Sequence, residues 1–220
     1  MTAPQNMVEY IDVVPRQIVG TSASLIPFLA HDEANRALMG THMQCQAVPL
    51  INPSSPTVGT GMEKVIGENM GRVITAPADS EIVYVDSKKV TIKTRENAKN
   101  QEITYPIQKF ARSPQSTCYS QRPRVAVGQK VRKGDVLVDG PATESGELAL
   151  GQNLTIAYMS FDGLGYEDSI VISDKLFKED VLTSIHIEEY ETSVVETKLG
   201  PEETTRDIPN VSEEDRKSVV

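Results

Sequence analysis

The sequence has little cysteine: Cys45 and Cys118 are its only two, far apart and without a Cys-x-x-Cys partner. That excludes a disulfide framework and a zinc ribbon, and leaves two free thiols as the expectation. No apolar run is long enough for a membrane helix, and the N-terminus lacks the basic-then-apolar layout of a signal peptide. The chain therefore reads as cytoplasmic, with no membrane partner. It also has no His-Glu-x-x-His, no Gly-x-x-x-x-Gly-Lys-Ser/Thr and no nucleophile elbow. An independent metal-dependent hydrolase would need at least three convergent ligands, and nothing in the sequence supplies them. With 220 residues the chain can hold one or two domains with a real core.

The net charge of −9 hides a segregation. Between Lys88 and Lys133 there are twelve Lys or Arg against two acids, whereas between Glu179 and Asp215 there are twelve acids against two bases. A basic tract of that strength is what a surface near phosphate needs, and a solvated face or an intersubunit patch would look the same. Aromatic residues are few there, only Tyr105, Phe110 and Tyr119, so a base-stacking platform is not indicated.

Along the chain, YIDVVPRQIVGTSASLIPFL reads as a strand or turn around Pro15 followed by an apolar amphipathic helix ending near Pro27. Asp32 and Glu33 sit where N-cap and first-turn acids belong, Ala34 to Met39 favours helix, and Gly40 is a natural stop. INPSSPTVGTG is loop chemistry. From Met62 to Asn153 the pattern alternates as VITA, EIVYVD and KVTIKT, which predicts an all-β stretch with Ile82, Tyr84, Val90 and Ile92 in strands. The V-x-x-G-x-x-V rhythm around Gly128 and Gly134 is how a small barrel-sandwich module turns its corners. Beyond Leu154, TIAYMSF and SIVIS read as buried strands, Asp174 to Asp180 as a short helix, and TSIHIEEYETSVVETK as one or two strands with His186 on the face opposite Ile185 and Ile187. The fold class is mostly β with short helices.

Two stretches carry candidate chemistry. In Gly165–Ser173, Glu167 and Asp168 lie directly against an Ile-Val-Ile run, and charges at the mouth of a buried strand are costly to desolvate unless something cationic meets them. A metal ion or basic ligand is one reading; a turn whose acids point to solvent is the other. In His31–Pro49, Asn35, Arg36, His42, Gln44 and Gln46 crowd one short helix with few apolar neighbours. Amide and guanidinium donors at that density suit phosphate and base recognition, and an ordinary capped surface helix would also account for them.

HDEANRALMG, MQCQAVP, RPRVAVGQKVRKGDVLVDGPATESGELALGQNL, GYEDSIVIS and TSIHIEEYE with TKLGPEETTRDIPNV resemble, collinearly and over nearly the whole chain, the β subunits of bacterial-type DNA-directed RNA polymerases. Those subunits are far longer, so the chain looks like an internal fragment. The resemblance implies part of a split double-psi β-barrel with an inserted barrel-sandwich hybrid module and the start of the flap. The expected divisions are 1–61, a helix-and-loop part of the catalytic region; 62–153, the hybrid module; 154–190, barrel strands with the acidic pair; and 191–220, the flap.

The implied function is nucleotidyl transfer, template-directed RNA synthesis from nucleoside triphosphates, with β′, α and sigma subunits, DNA template and RNA as partners. By resemblance Arg36 faces the triphosphate, and Asn35, Met39 and Gln46 line the active-centre wall. Glu167 and Asp168 lie beside a second, substrate-borne Mg²⁺, held through water because Mg²⁺ sheds water reluctantly. The tightly bound Mg²⁺ belongs to β′, so the fragment alone is expected to be inactive. Departures from the family pattern fall at His42, Cys45 and Leu164-Gly165. The alternative function is a free-standing β-barrel module that binds protein or nucleic acid without catalysis.

Overall fold

The computed structural model describes residues 4, 7–11, 13–96, 99–198, 200–203, 205, 210–212 and 214, without the side chains of 15, 16, 95, 96, 99 and 100. It divides into two units, Met1–Ile187 and Glu188–Val220. The described residues form three short α-helices and thirteen strands in five small antiparallel sheets. No closed barrel is formed among them.

In the first unit, α1 (Ala34–Cys45) and α2 (Met62–Asn69) precede β1 (Ile74–Thr75), β2 (Ser80–Val85), β3 (Lys89–Glu96) and β4 (Lys99–Pro106). Then follow β5 (Ala111–Arg112), β6 (Cys118–Tyr119), β7 (Arg122–Pro123), β8 (Lys130–Val131), β9 (Val136–Asp139), β10 (Thr143–Glu144), β11 (Glu147–Leu148) and the helix α3 (Asp174–Lys178). The main sheet runs β4-β3-β2-β8, a second runs β1-β9-β7, and β5-β6 and β10-β11 are two-stranded.

The predicted alternation through Glu81–Thr94 is realised as β2 and β3, paired Ile82 to Ile92 and Val85 to Val90. Ile82, Val90 and Ile92 are buried and cluster with Leu137 and Val138 of β9 and Val131 of β8, so the core draws on both larger sheets. Fully burying such an aliphatic side chain contributes about 1.5–3 kcal/mol. A bulge between Ile82 and Tyr84 breaks the period. It leaves Val83 and Tyr84 both partly in solvent, so Tyr84 is a strand residue but not a core one.

Several expectations are corrected. A 3₁₀ turn, Pro15–Ile18, lies where the sequence reads as a turn around Pro15, but the apolar helix expected to follow it is only the 3₁₀ turn Ala23–Leu25, with another, Leu29–His31, after Pro27. Ile18 and Val19 have no apolar surface to cover, and a helix too short to bury a face is not stable. α1 does not stop at Gly40; it continues to Cys45, since one glycine costs a helix only about 1 kcal/mol. Glu33 rather than Asp32 caps it, its carboxylate accepting from the Asn35 amide at 2.8 Å. The region expected to be all β opens with α2.

TIAYMSF and SIVIS are not strands: residues 154–173 pair with nothing among the described residues, and Ile170 and Ile172 are 83% and 64% exposed. A strand exists only through its neighbour's hydrogen bonds, and alternation alone does not provide one. TSIHIEEY contributes isolated bridges, Leu50 to Ser184 and Thr117 to His186, with His186 exposed between half-buried Ile185 and Ile187 as the alternation requires. Among the described residues of the second unit there is one small hairpin, β12 (Glu196–Thr197) with β13 (Gly200–Pro201).

Candidate functional site

α1 carries four of the predicted site residues on one short element. Asn35, Arg36 and Met39 lie in its first turns and Gln46 is its C-cap. None of its residues is buried, so the helix presents donors to solvent rather than packing them. The Glu33 carboxylate that caps the helix also accepts from Asn35 Nδ2 at 3.0 Å, which fixes that amide. Arg36 Nη1 lies 3.5 Å from Met39 Sδ, and no carboxylate forms an ion pair with it among the described residues. Its charge is therefore unneutralised. Gln46 Nε2 is 2.7 Å from His42 Nε2, closing the C-terminal turn.

Glu167 and Asp168 sit in a 3₁₀ turn, Tyr166–Asp168, and both are exposed. The pair stands on an exposed turn rather than at the mouth of a buried strand. Yet the turn is not ordinary. Glu167 has φ 52° and ψ 53°, and Asp168 has φ 61°, so two consecutive acidic residues occupy the left-handed region. Each costs about 1–2 kcal/mol there, and such conformations persist only where neighbours hold them. The Ser169 hydroxyl does so, donating to the carbonyls of Leu164 and Tyr166. The result is a pair of carboxylates aimed by the backbone, with no ion pair to either among the described residues.

No hydrogen bond or ion pair joins α1 to this turn among the described residues, so the two groups are each assembled but not linked to each other. No set of three or more His, Cys, Asp or Glu among the described residues could hold a metal ion. Two adjacent exposed carboxylates do not enclose a cation by themselves; they suit one that arrives with its own ligands and water.

On the main sheet the basic tract is interleaved with acids. Register places Glu102, Lys93, Glu81 and Lys130 in a row across β4, β3, β2 and β8, a ladder of alternating sign. Cross-strand neighbours of opposite charge favour pairing, so the acids dilute the positive charge along this row. Arg112 Nε donates to the Ile187 carbonyl at 3.1 Å.

Arg122 and Arg124 turn to a polar network that sequence reasoning did not find. Asp139, fully buried at the end of β9, accepts from the amides of Ser145 and Gly146 at 2.9 and 2.8 Å and from Arg124 Nε. Arg124 also reaches Glu144 at 3.9 Å, and Glu144 accepts the Ser55 amide at 2.6 Å. Arg122 donates to the Ile51 carbonyl at 2.7 Å and to the Thr143 carbonyl at 3.4 Å. Burial first, and the charge of Arg124 second, push the Arg122 guanidinium down, while Asp139 and Glu144 oppose them. The available signal was Arg-x-Arg, which puts both guanidiniums on one strand face, with an acid closing the apolar run VLVD.

The chain matches the family described as RNA polymerase Rpb2, domain 6, over residues 75–219. It is 54% identical, over 97% of its own length and 19% of the relative's, to the DNA-directed RNA polymerase subunit beta of Thermosynechococcus vestitus. It is 50% identical to the proteins of the same name from Brucella canis and Brucella suis, over 100% of its own length and 16% of theirs. The chain thus spans a fifth or less of the length of these curated relatives.

Proposed function

Because the chain belongs to the RNA polymerase Rpb2, domain 6, family, we propose that it is a segment of a DNA-directed RNA polymerase β subunit contributing to nucleotidyl transfer. The observation that carries the reading is an overall identity of 54% over 97% of the chain with one relative and 50% over 100% of it with another. In this reading residues 62–153 are a barrel-sandwich hybrid module inserted into half of a split double-psi β-barrel. Residues 1–61 and 154–190 belong to the catalytic region, and 191–220 begin the flap. In this reading Ile170, Val171 and Ile172, exposed and unpaired in this chain, gain a neighbouring strand only from the rest of the longer protein. The β′, α and sigma subunits, template DNA and RNA are the partners, and the tightly held Mg²⁺ is a β′ property.

Phosphoryl transfer is accelerated mainly by positioning and by neutralising charge. Arg36, unpaired on an exposed helix, offers a planar fork of donors to the triphosphate of the incoming nucleotide. Asn35, Met39 and Gln46 shape the wall beside it. The substrate is the Mg²⁺ complex of the nucleoside triphosphate, and Glu167 and Asp168 face that cation across water, their fixed left-handed turn setting the direction.

The test is single-nucleotide extension on an RNA–DNA scaffold by the complete polymerase across a Mg²⁺ titration. Arg36→Ala should remove a charge-assisted contact of about 1.5–3 kcal/mol. That lowers kcat/KM about ten- to hundredfold. Glu167→Ala with Asp168→Ala should raise the Mg²⁺ concentration at half-maximal rate. Wild-type rates and an unchanged midpoint in both would sink the assignment. Assembly should survive, since all three side chains are exposed.

A further inference from the structure

The chain contains two Asp-Gly sequences, Asp139-Gly140 and Asp162-Gly163, and the fold treats them oppositely. An aspartyl carboxyl can condense with the next residue's backbone nitrogen when the carboxyl is unengaged, the peptide can rotate, and no Cβ shields that nitrogen. Glycine provides the last condition and the widest backbone freedom.

Asp162 and Gly163 are the central residues of a turn closed by Leu164 N donating to the Phe161 carbonyl at 2.8 Å. Asp162 is exposed and held at φ 45°, left-handed and strained for a non-glycine residue, with Gly163 at φ 74°. Nothing lies within 4 Å of where a Cβ on Gly163 would stand. Among the described residues no hydrogen bond or ion pair holds the Asp162 carboxylate. At the other sequence Asp139 is fully buried with both oxygens engaged. A Cβ on Gly140 would meet the Arg72 Cβ and carbonyl oxygen, each at 2.9 Å, and the Gly140 carbonyl is bound by Thr143 Oγ1 at 3.0 Å.

We propose that Asp162 is a site of spontaneous succinimide formation and isoaspartate accumulation, from which Asp139 is protected. The Gly163 nitrogen bonds to Cγ of Asp162, and the carboxyl hydroxyl leaves with the amide proton as water, closing a five-membered imide. Water then adds to one of the two imide carbonyls. Opening at the α-carbonyl returns the chain through Cβ as isoaspartate, and opening at Cγ restores aspartate. Only water is lost and regained. Each isoaspartate adds a backbone carbon shortly before Glu167 and Asp168 and re-aims the turn that carries them.

The experiment ages the complete natural protein at physiological temperature and neutral pH in heavy-oxygen water, then maps peptides by fragmentation that separates isoaspartate from aspartate. In the native state isoaspartate at 162 should exceed that at 139 by at least about tenfold, since three hydrogen bonds must break before Asp139 can react. Residue 162 should also gain solvent oxygen. A urea-unfolded control should bring the two sites to comparable rates, and Asp162→Glu should abolish the signal at that position. Equal native rates at the two sites, or isoaspartate at 162 without solvent oxygen, would overturn the proposal. This readout is independent of polymerase activity, so its failure leaves the functional assignment untouched.

Discussion

Replacing Asp139 tests the polar network that closes β9 onto the β10–β11 hairpin. Its carboxylate is fully buried and accepts two amides, Ser145 N and Gly146 N, besides Arg124 Nε. Asp139→Ala strands both amides, each costing about 1–3 kcal/mol when left without an acceptor. The Arg124 side chain is 41% exposed, so its charge is recovered by solvent and adds little to the loss. A total of about 2–5 kcal/mol follows. With a urea m-value of roughly 2 kcal/mol/M, the unfolding midpoint should fall by about 1–2.5 M. Asp139→Asn is the sharper arm, because its amide nitrogen must face a donor whichever way the group is turned, so it should be nearly as damaging as alanine. Amide exchange at Ser145 and Gly146 should accelerate with it. An Asn variant within about 0.5 kcal/mol of the parent, the range of an ordinary surface substitution, would refute the reasoning.

Gly67 of α2 lies against the same hairpin, and a Cβ there would stand 2.0 Å from the Gly146 carbonyl oxygen. Gly67→Ala should therefore destabilise by about 1–3 kcal/mol in urea unfolding, although alanine is the better helix former; a gain in stability would contradict that packing. Glu63 is nearly buried; burial raises its pKa, but amide bonds from Thr60, Glu63 itself and Gly61, with the Thr60 hydroxyl, outweigh burial and leave it lowered. A lowered carboxylate stabilises fully above the unfolded value, about 4.3. That contribution is lost as pH falls through the folded value. The stability gap between parent and Glu63→Gln should accordingly be widest near neutrality and shrink on acidification, and a gap that widens in acid would reverse the assignment.

What the sequence determined by itself was local. Period-2 alternation placed Ile82, Val90 and Ile92 in strands because every second side chain of a strand faces one side. The short helix read over Asp174 to Asp180 is α3, and alternation around His186 put Ile185 and Ile187 on the other face. The long blocks around Arg36 and Glu167-Asp168 carried the family resemblance. What tertiary structure alone decided was pairing. The bulge at Val83 turned Tyr84 outward, register set Lys93 between Glu81 and Glu102, and the pairing of β7 with β9 and the turn after β10 brought Arg124 and the Ser145 and Gly146 amides onto Asp139. Glu167 was visible as an acid at the head of an apolar run, but its left-handed backbone was not. TIAYMSF and SIVIS have the composition of buried strands and none of their structure here. Side-chain pattern states which faces want burial, whereas a strand, a neutralised charge or a buried carboxylate exists only when a distant part of the chain supplies the hydrogen bonds.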